Sequence, residues 1–148
     1  MKTILFVCTG NTCRSPMAAS MMNDLFAKAG RSDLRAISAG IAAFDGQPAS
    51  AGARHAMAKR GLSLEGHRSQ SVTPELLAGC DHIFCMGMQH AAALMHTFSP
   101  LPGLHALSPA VSDPYGGSDA VYEACADELL QHLTALMPAL TGSGSQPG

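Results

Sequence analysis

The segment Thr3-Ile4-Leu5-Phe6-Val7-Cys8 is an unbroken apolar run that passes at once into polar Thr9-Gly10-Asn11-Thr12-Cys13-Arg14-Ser15 and then Pro16. A short apolar stretch with turn chemistry behind it predicts a strand buried on both faces, which is the condition of a parallel sheet. The same run, preceded by Lys2, has the outline of a signal peptide. It is too short for a secretory apolar region and ends in polar residues, so the strand reading is preferred. Nowhere does an apolar run approach the ~18 residues of a membrane span. The chain is therefore expected to be soluble and cytoplasmic, with no membrane partner.

Further strands are expected at Leu34–Ala39, Asp81–Met86 and, weakly, Leu104–Leu107. Helical patterns lie between them. One opens at Pro16, whose missing N–H is harmless in a first turn, and stops near Gly30. Others are expected over Pro48–Arg60, from the Thr73-Pro74-Glu75 cap to Gly79, over Gln89–Thr97, and after Ser118 with Val121, Cys125, Leu129, Leu133 and Leu136 as its apolar face. Alternating strands and helices predict a single α/β domain over residues 1–140, a four-stranded parallel sheet with helices on both faces. With 148 residues, 47% of them hydrophobic, one domain of this kind fills a proper core. Thr141-Gly-Ser-Gly-Ser-Gln-Pro-Gly148 reads as a flexible tail.

Ligands of such sheets bind beyond the carboxyl ends of the strands, where the loop Cys8–Ser15 is expected. Its backbone N–H groups, meeting a helix N-terminus, form a nest for an anion. Gly10 and Asn11 tolerate left-handed backbone, and Arg14 brings a planar fork that fits two phosphate oxygens. The same positive field favours the thiolate form of Cys8, and the Ser15 hydroxyl is within reach of its sulfur. Cys-x5-Arg thus reads as a phosphate-binding loop of Thr9, Gly10, Asn11, Thr12, Cys13 and Ser15, with Cys8 as nucleophile. A phosphate ester also requires its leaving group to be protonated. Asp113-Pro114-Tyr115-Gly116-Gly117 follows the fourth expected strand, making Asp113 the candidate general acid and Tyr115 a candidate cleft wall.

The five cysteines have neither zinc-knuckle spacing nor a nearby histidine pair, so no metal and no cofactor are expected. Charge is laid out unevenly. All nine Lys and Arg lie between Lys2 and Arg68 beside four acids, whereas seven acids and no Lys or Arg follow Ser69. No basic cluster or nucleic-acid motif accompanies the first half, which argues against a nucleic-acid partner.

Cys8-Thr-Gly-Asn-Thr-Cys-Arg14-Ser15-Pro16, Ile37-Ser-Ala-Gly40, His67-Arg-Ser69, Asp81-His-Ile-Phe-Cys-Met86 and Asp113-Pro-Tyr115 occur in this order across nearly the whole chain. Together they resemble the low-molecular-weight protein tyrosine phosphatase family. The resemblance implies Cys8 as nucleophile, Arg14 as phosphate ligand and Asp113 as proton donor. It further implies that Asn11 holds the loop's shape, Ser15 supports the thiolate and His67 braces Asn11. Cys13 is implied as the partner of Cys8 in a reversible, protective disulfide. Thr12 stands where phosphotyrosine-specific members usually carry an aliphatic residue. There, and at Asp113-Pro-x-Gly-Gly-Ser118, the chain is closer to the bacterial protein-arginine phosphatase subgroup.

Phosphorylated protein side chains are thus the implied partners, phosphoarginine ahead of phosphotyrosine, with inorganic phosphate as product or inhibitor. Two other readings are open: a thioredoxin-coupled arsenate reductase relaying electrons through Cys80 and Cys85, and a non-catalytic phosphate-binding module. Cys85 falls inside an expected apolar strand, which weighs against the first, and the coincidence of nucleophile, arginine and acid weighs against the second.

Overall fold

The computed structural model describes residues 1–98 and 100–142. Four strands, β1 (Lys2–Cys8), β2 (Leu34–Gly40), β3 (His82–Cys85) and β4 (Leu104–Ala106), form one sheet in the order β2-β1-β3-β4. Every pairing is parallel, with Cys8 opposite Gly40 and Val7 opposite Cys85. The expected four-stranded parallel sheet is therefore present. The chain leaves β1 toward one neighbour and later returns on its other side, so strand order reverses at β1. That reversal opens a crevice at the carboxyl end of β1, where Cys8 lies.

Alternate residues of β1 feed two cores. Ile4, Phe6 and Cys8 pack beneath α1 (Arg14–Lys28), α2 (Ala51–Ala58) and α5 (Asp119–Thr141). Leu5 and Val7 pack on the opposite side with Leu77 of α3 (Pro74–Ala78) and Leu94 of α4 (Met88–Phe98). A strand buried on both faces needs apolar residues at every position, which is why Thr3–Cys8 shows no alternation. Leu129 and Leu133 of α5 are fully buried, so truncating either to alanine costs about 2–5 kcal/mol.

Several boundaries differ from the expectation. Helix α1 begins at Arg14, two residues before Pro16. First-turn N–H groups have no intrahelical acceptor, so a proline at the third position loses nothing. Helix α2 begins at Ala51, because the Ser50 hydroxyl accepts from Ala53 N at 3.3 Å and leaves Pro48 outside. On α5 the buried face carries Tyr122, Cys125, Ala126, Leu129, Leu133 and Leu140, while Val121 is exposed. Helix α5 also runs through Thr141 to a left-handed Gly142 (φ 82°), so the start of the expected tail is helical. The rest of that tail, residues 143–148, lies outside the described residues.

Candidate active site

The loop between β1 and α1 is shaped by where its carbonyls go. Cys8 O accepts from Ile41 N (3.0 Å), Thr9 O from Ala42 N (2.9 Å) and Thr12 O from Ser50 N (2.9 Å). Asn11 O faces His67 Nε2 at 2.7 Å. With these carbonyls drawn outward, no backbone N–H from Thr9 to Cys13 donates to another described residue. Helix α1 follows with no side-chain cap. A run of free N–H groups thus continues into an uncapped helix N-terminus, which is an anion cradle.

Two backbone features permit this curl. Asn11 adopts φ 58°, the left-handed region, and it is the only non-glycine residue to do so among those described. Gly40 lies against the loop so closely that a Cβ there would come within 2.5 Å of Thr9 O and 3.0 Å of Asn11 N. The Ile37-Ser-Ala-Gly40 motif therefore has a steric reason to end in glycine.

The side chains predicted from the sequence converge on this cradle. Cys8 Sγ lies 2.9 Å from Ser15 Oγ, and Asn11 Nδ2 donates to the same hydroxyl at 2.9 Å. With its oxygen accepting from Asn11, Ser15 can direct its proton at the sulfur or, at 3.5 Å, at Ala39 O. Asn11 Oδ1 in turn accepts from Gln70 N at 2.9 Å. The carbonyl of Asn11 can only accept, so His67 Nε2 carries a proton. Burial holds the His67 pKa below its ordinary value, opposed by the bond to Asn11 and reinforced by Arg68. The structure brings His67 into contact with Asn11.

Arg14 is buried, with Nη1 donating to Val111 O at 3.1 Å and Nη2 lying 3.7 Å from Asp113 Oδ2. Val111 N is itself held by Met86 O at 2.8 Å, so the guanidinium is anchored to the segment after β4. Asp113 is half exposed, and its Oδ1 accepts from Tyr115 N at 3.1 Å. Cys8, Thr9, Gly10, Thr12, Cys13, Arg14, Asp113 and Tyr115 together line a cavity of about 230 Å³. Tyr115 is 77% exposed and stands at its rim.

The structure adds residues that no motif marked. His90, on α4, is buried with Nε2 3.0 Å from Thr9 Oγ1, while its Nδ1 has no partner among the described residues. Burial and the Arg14 charge lower its pKa, with Asp113 opposing. Cys13 Sγ sits between Ser50 Oγ and Tyr122 Oη, each at 3.3 Å. Burial, with the Cys13 contact, pushes the Tyr122 phenol up to about 12. These contacts join residues far apart in the chain, and only the topology brings them together.

All five cysteines are free thiols, and no group of three metal-ligating side chains occurs among the described residues. Cys85 is fully buried within β3, and that burial pushes its thiol up to about 12. No helix among the described residues is long and apolar enough to cross a membrane.

Residues 3–145 match the family model described as low molecular weight phosphotyrosine protein phosphatase. A protein-arginine-phosphatase of Geobacillus stearothermophilus is 33% identical over 134 residues, covering 85% of this chain and 87% of that protein. A probable low molecular weight protein-tyrosine-phosphatase of Ralstonia solanacearum is 45% identical over 87 residues, covering 59% of this chain and 57% of that protein. A solved low molecular weight protein tyrosine phosphatase from T. tengcongensis superposes with a TM-score of 0.90 at 35% identity, covering 94% of this chain and 99% of the other. With the cradle, the thiol, the arginine and the carboxylate in one crevice, the chain belongs to the low molecular weight protein phosphatases, cysteine-dependent hydrolases of phosphorylated proteins.

Proposed function

We propose that this phosphatase works through a cysteinyl-phosphate intermediate and prefers phosphoarginine. The phosphoryl group enters the loop with its oxygens on the free N–H groups and on the Arg14 fork. Such preorganised donors match the charge of the transferring group without a metal. Cys8 thiolate attacks phosphorus, forming the S–P bond as the P–N bond breaks. The electron pair goes to the departing guanidine nitrogen, and Asp113 supplies its proton. In the second step Asp113 takes a proton from water, the water oxygen bonds to phosphorus, and the S–P bond breaks to return the thiolate and release inorganic phosphate. Arg14 and Asp113 face each other before substrate arrives. A bound dianion draws the guanidinium onto itself and favours the protonated carboxyl beside it.

The substrate preference is carried by Thr12. It lines the cavity together with Cys8 and Asp113, at the position where an aliphatic wall would add apolar contact with a phenyl ring. A hydroxyl-bearing wall suits a polar guanidine better. The protein-arginine-phosphatase relative, aligned over most of both chains, supports this reading. Phosphotyrosine is the second reading, favoured by Tyr115, which can stack on a phenol as well as on a guanidinium, and by the tyrosine phosphatase relatives. The test is kcat/KM on matched phosphoarginine and phosphotyrosine peptides, with Cys8→Ser as the blank. A higher value on phosphoarginine, with Thr12→Ile moving the ratio toward phosphotyrosine, is the expected result. A ratio that Thr12→Ile leaves unchanged removes Thr12 as its cause.

A further inference from the structure

A second and larger cavity of about 480 Å³ shares no lining residue with the cleft. Its walls come from α1 (Pro16, Ser20, Asn23), from β2 (Ala36, Ile37, Ser38) and from the segment 63–70. Ser38 is 93% buried, being 7% exposed, and its hydroxyl makes no hydrogen bond to a described residue. The hydroxyl oxygen itself is open to the cavity, so it can donate to a molecule held there. Ser20 of α1 also lines the cavity, its hydroxyl without a partner among the described residues.

The charge of this cavity has one sign. Among the described residues, the one Lys, Arg, Asp or Glu in its lining is Arg68, whose Nη1 touches the carbonyls of His67 (2.7 Å) and Glu65 (3.5 Å) and which pairs with no described carboxylate. The nearest acid in sequence, Glu65, lies 3.8 Å from Arg54. The faces of α1 and β2 that line the cavity carry no charge, and Asp24 of α1 is taken by Lys28 at 2.9 Å. His67 also lines the cavity, with Nε2 committed to Asn11 O and Nδ1 without a partner among the described residues.

We propose that this cavity binds a small carboxylate anion, received by Arg68, Ser38 and His67, and that occupancy is felt at the catalytic loop through the bond from His67 to Asn11. The guanidinium fork and the Ser38 hydroxyl match carboxylate oxygens. The neutral His67 has its lone pair on Nδ1, so an anion there favours the imidazolium, which donates from both nitrogens. Binding is therefore linked to proton uptake. The effect on turnover rests on the phosphatase reading of the loop; the binding itself does not.

The probe is citrate, followed by site-resolved NMR on the Ser38 amide and the His67 imidazole of the full chain. Saturable shifts at both are expected, tighter at pH 6 than at pH 8, with an upward move of the His67 titration. Arg68→Gln, at an exposed position, is expected to weaken binding about tenfold or more, and Ser38→Ala by about threefold to tenfold. In parallel, aryl phosphate hydrolysis is expected to change in kcat with citrate, an effect that Arg68→Gln abolishes while its own basal rate stays that of the parent. Shifts confined to residues 9–15, or an affinity equal in all three proteins, overturn the site. Binding that leaves kcat untouched overturns the coupling alone.

Discussion

Asn11 concentrates much of the loop's design in one residue, so its replacement tests the architecture directly. Its backbone sits at φ 58°, its Nδ2 donates to Ser15 Oγ and its Oδ1 accepts from Gln70 N, both at 2.9 Å. Asn11→Gly removes the two side-chain bonds but accepts the left-handed backbone. Asn11→Ala removes the same bonds and adds the conformational penalty. Two neutral hydrogen bonds contribute about 0.5–1.5 kcal/mol each, so glycine is expected to cost about 1–3 kcal/mol. The left-handed conformation costs a further ~1–2 kcal/mol for alanine. Neither sum exhausts the ~5–15 kcal/mol of a typical domain, so both variants remain folded and measurable. Urea unfolding is the assay, with kcat on an aryl phosphate read alongside. Both variants lose kcat, because Ser15 no longer has its orientation at Cys8 fixed. Equal stabilities for glycine and alanine would refute the backbone argument. A glycine variant matching the parent in stability and rate would refute the hydrogen-bond argument.

Asp113→Asn keeps the shape of the rim but can neither supply nor accept the proton, so kcat is expected to fall about 10²–10⁴-fold with little change in KM; a steady-state rate within a factor of two of the parent removes Asp113 from the chemistry. Cys13→Ser is expected to recover less activity than the parent when peroxide treatment is followed by a thiol reductant, since the neighbouring thiol cannot trap oxidised Cys8 as a disulfide; equal recovery ends the protective role. Stability is expected to depend on pH through His67, His82 and His90, all held below their ordinary pKa chiefly by burial. The unfolded chain takes up these protons first, so stability is complete above the free histidine value of about 6.5, falls as pH drops through it, and levels off below the folded values. Denaturant midpoints between pH 8 and 5 check this, and His90→Asn should flatten part of the fall.

The legible part of this protein was local. Thr3–Cys8 carries its double-sided burial in an unbroken apolar spelling, and Cys8–Pro16 carries the cradle in a contiguous motif, so fold and catalytic loop follow from short stretches of chain. His67 came from the family resemblance, since nothing in its own neighbourhood separates it from an ordinary surface histidine. His90 and Tyr122 carried no signal of either kind. Each reaches the loop across a parallel sheet or from the last helix, and such contacts depend on register and helix rotation. The α5 face shows how small the difference is: moving the apolar stripe by one residue, from Val121 to Tyr122, turns an expected core valine into an exposed one and brings a phenol to Cys13.

The lopsided charge layout takes its meaning from contacts that bind the two halves of the chain. Arg14 and Asp113 meet over the cleft, but they are not alone. Arg60, just beyond α2, lies 2.7 Å from Asp127 and 3.4 Å from Glu123 of α5, and His55 of α2 lies 3.3 Å from Asp119. The basic first half and the acidic second half thus attract along the packing of α2 on α5 as well as at the site. Partly exposed pairs of this kind contribute little stability singly, about 0–1 kcal/mol. Their value lies in orientation: α2 carries in its cap the Ser50 that touches Cys13, and α5 carries Tyr122, which touches the same sulfur. Arg60 thus ties α5 to the segment after α2, and the two helices bring Ser50 and Tyr122 to the same sulfur. Of the nine basic residues, Arg14 faces Asp113, Arg60 pairs with two acids of α5, and Arg68 lines the second cavity, where no acid stands among the described residues.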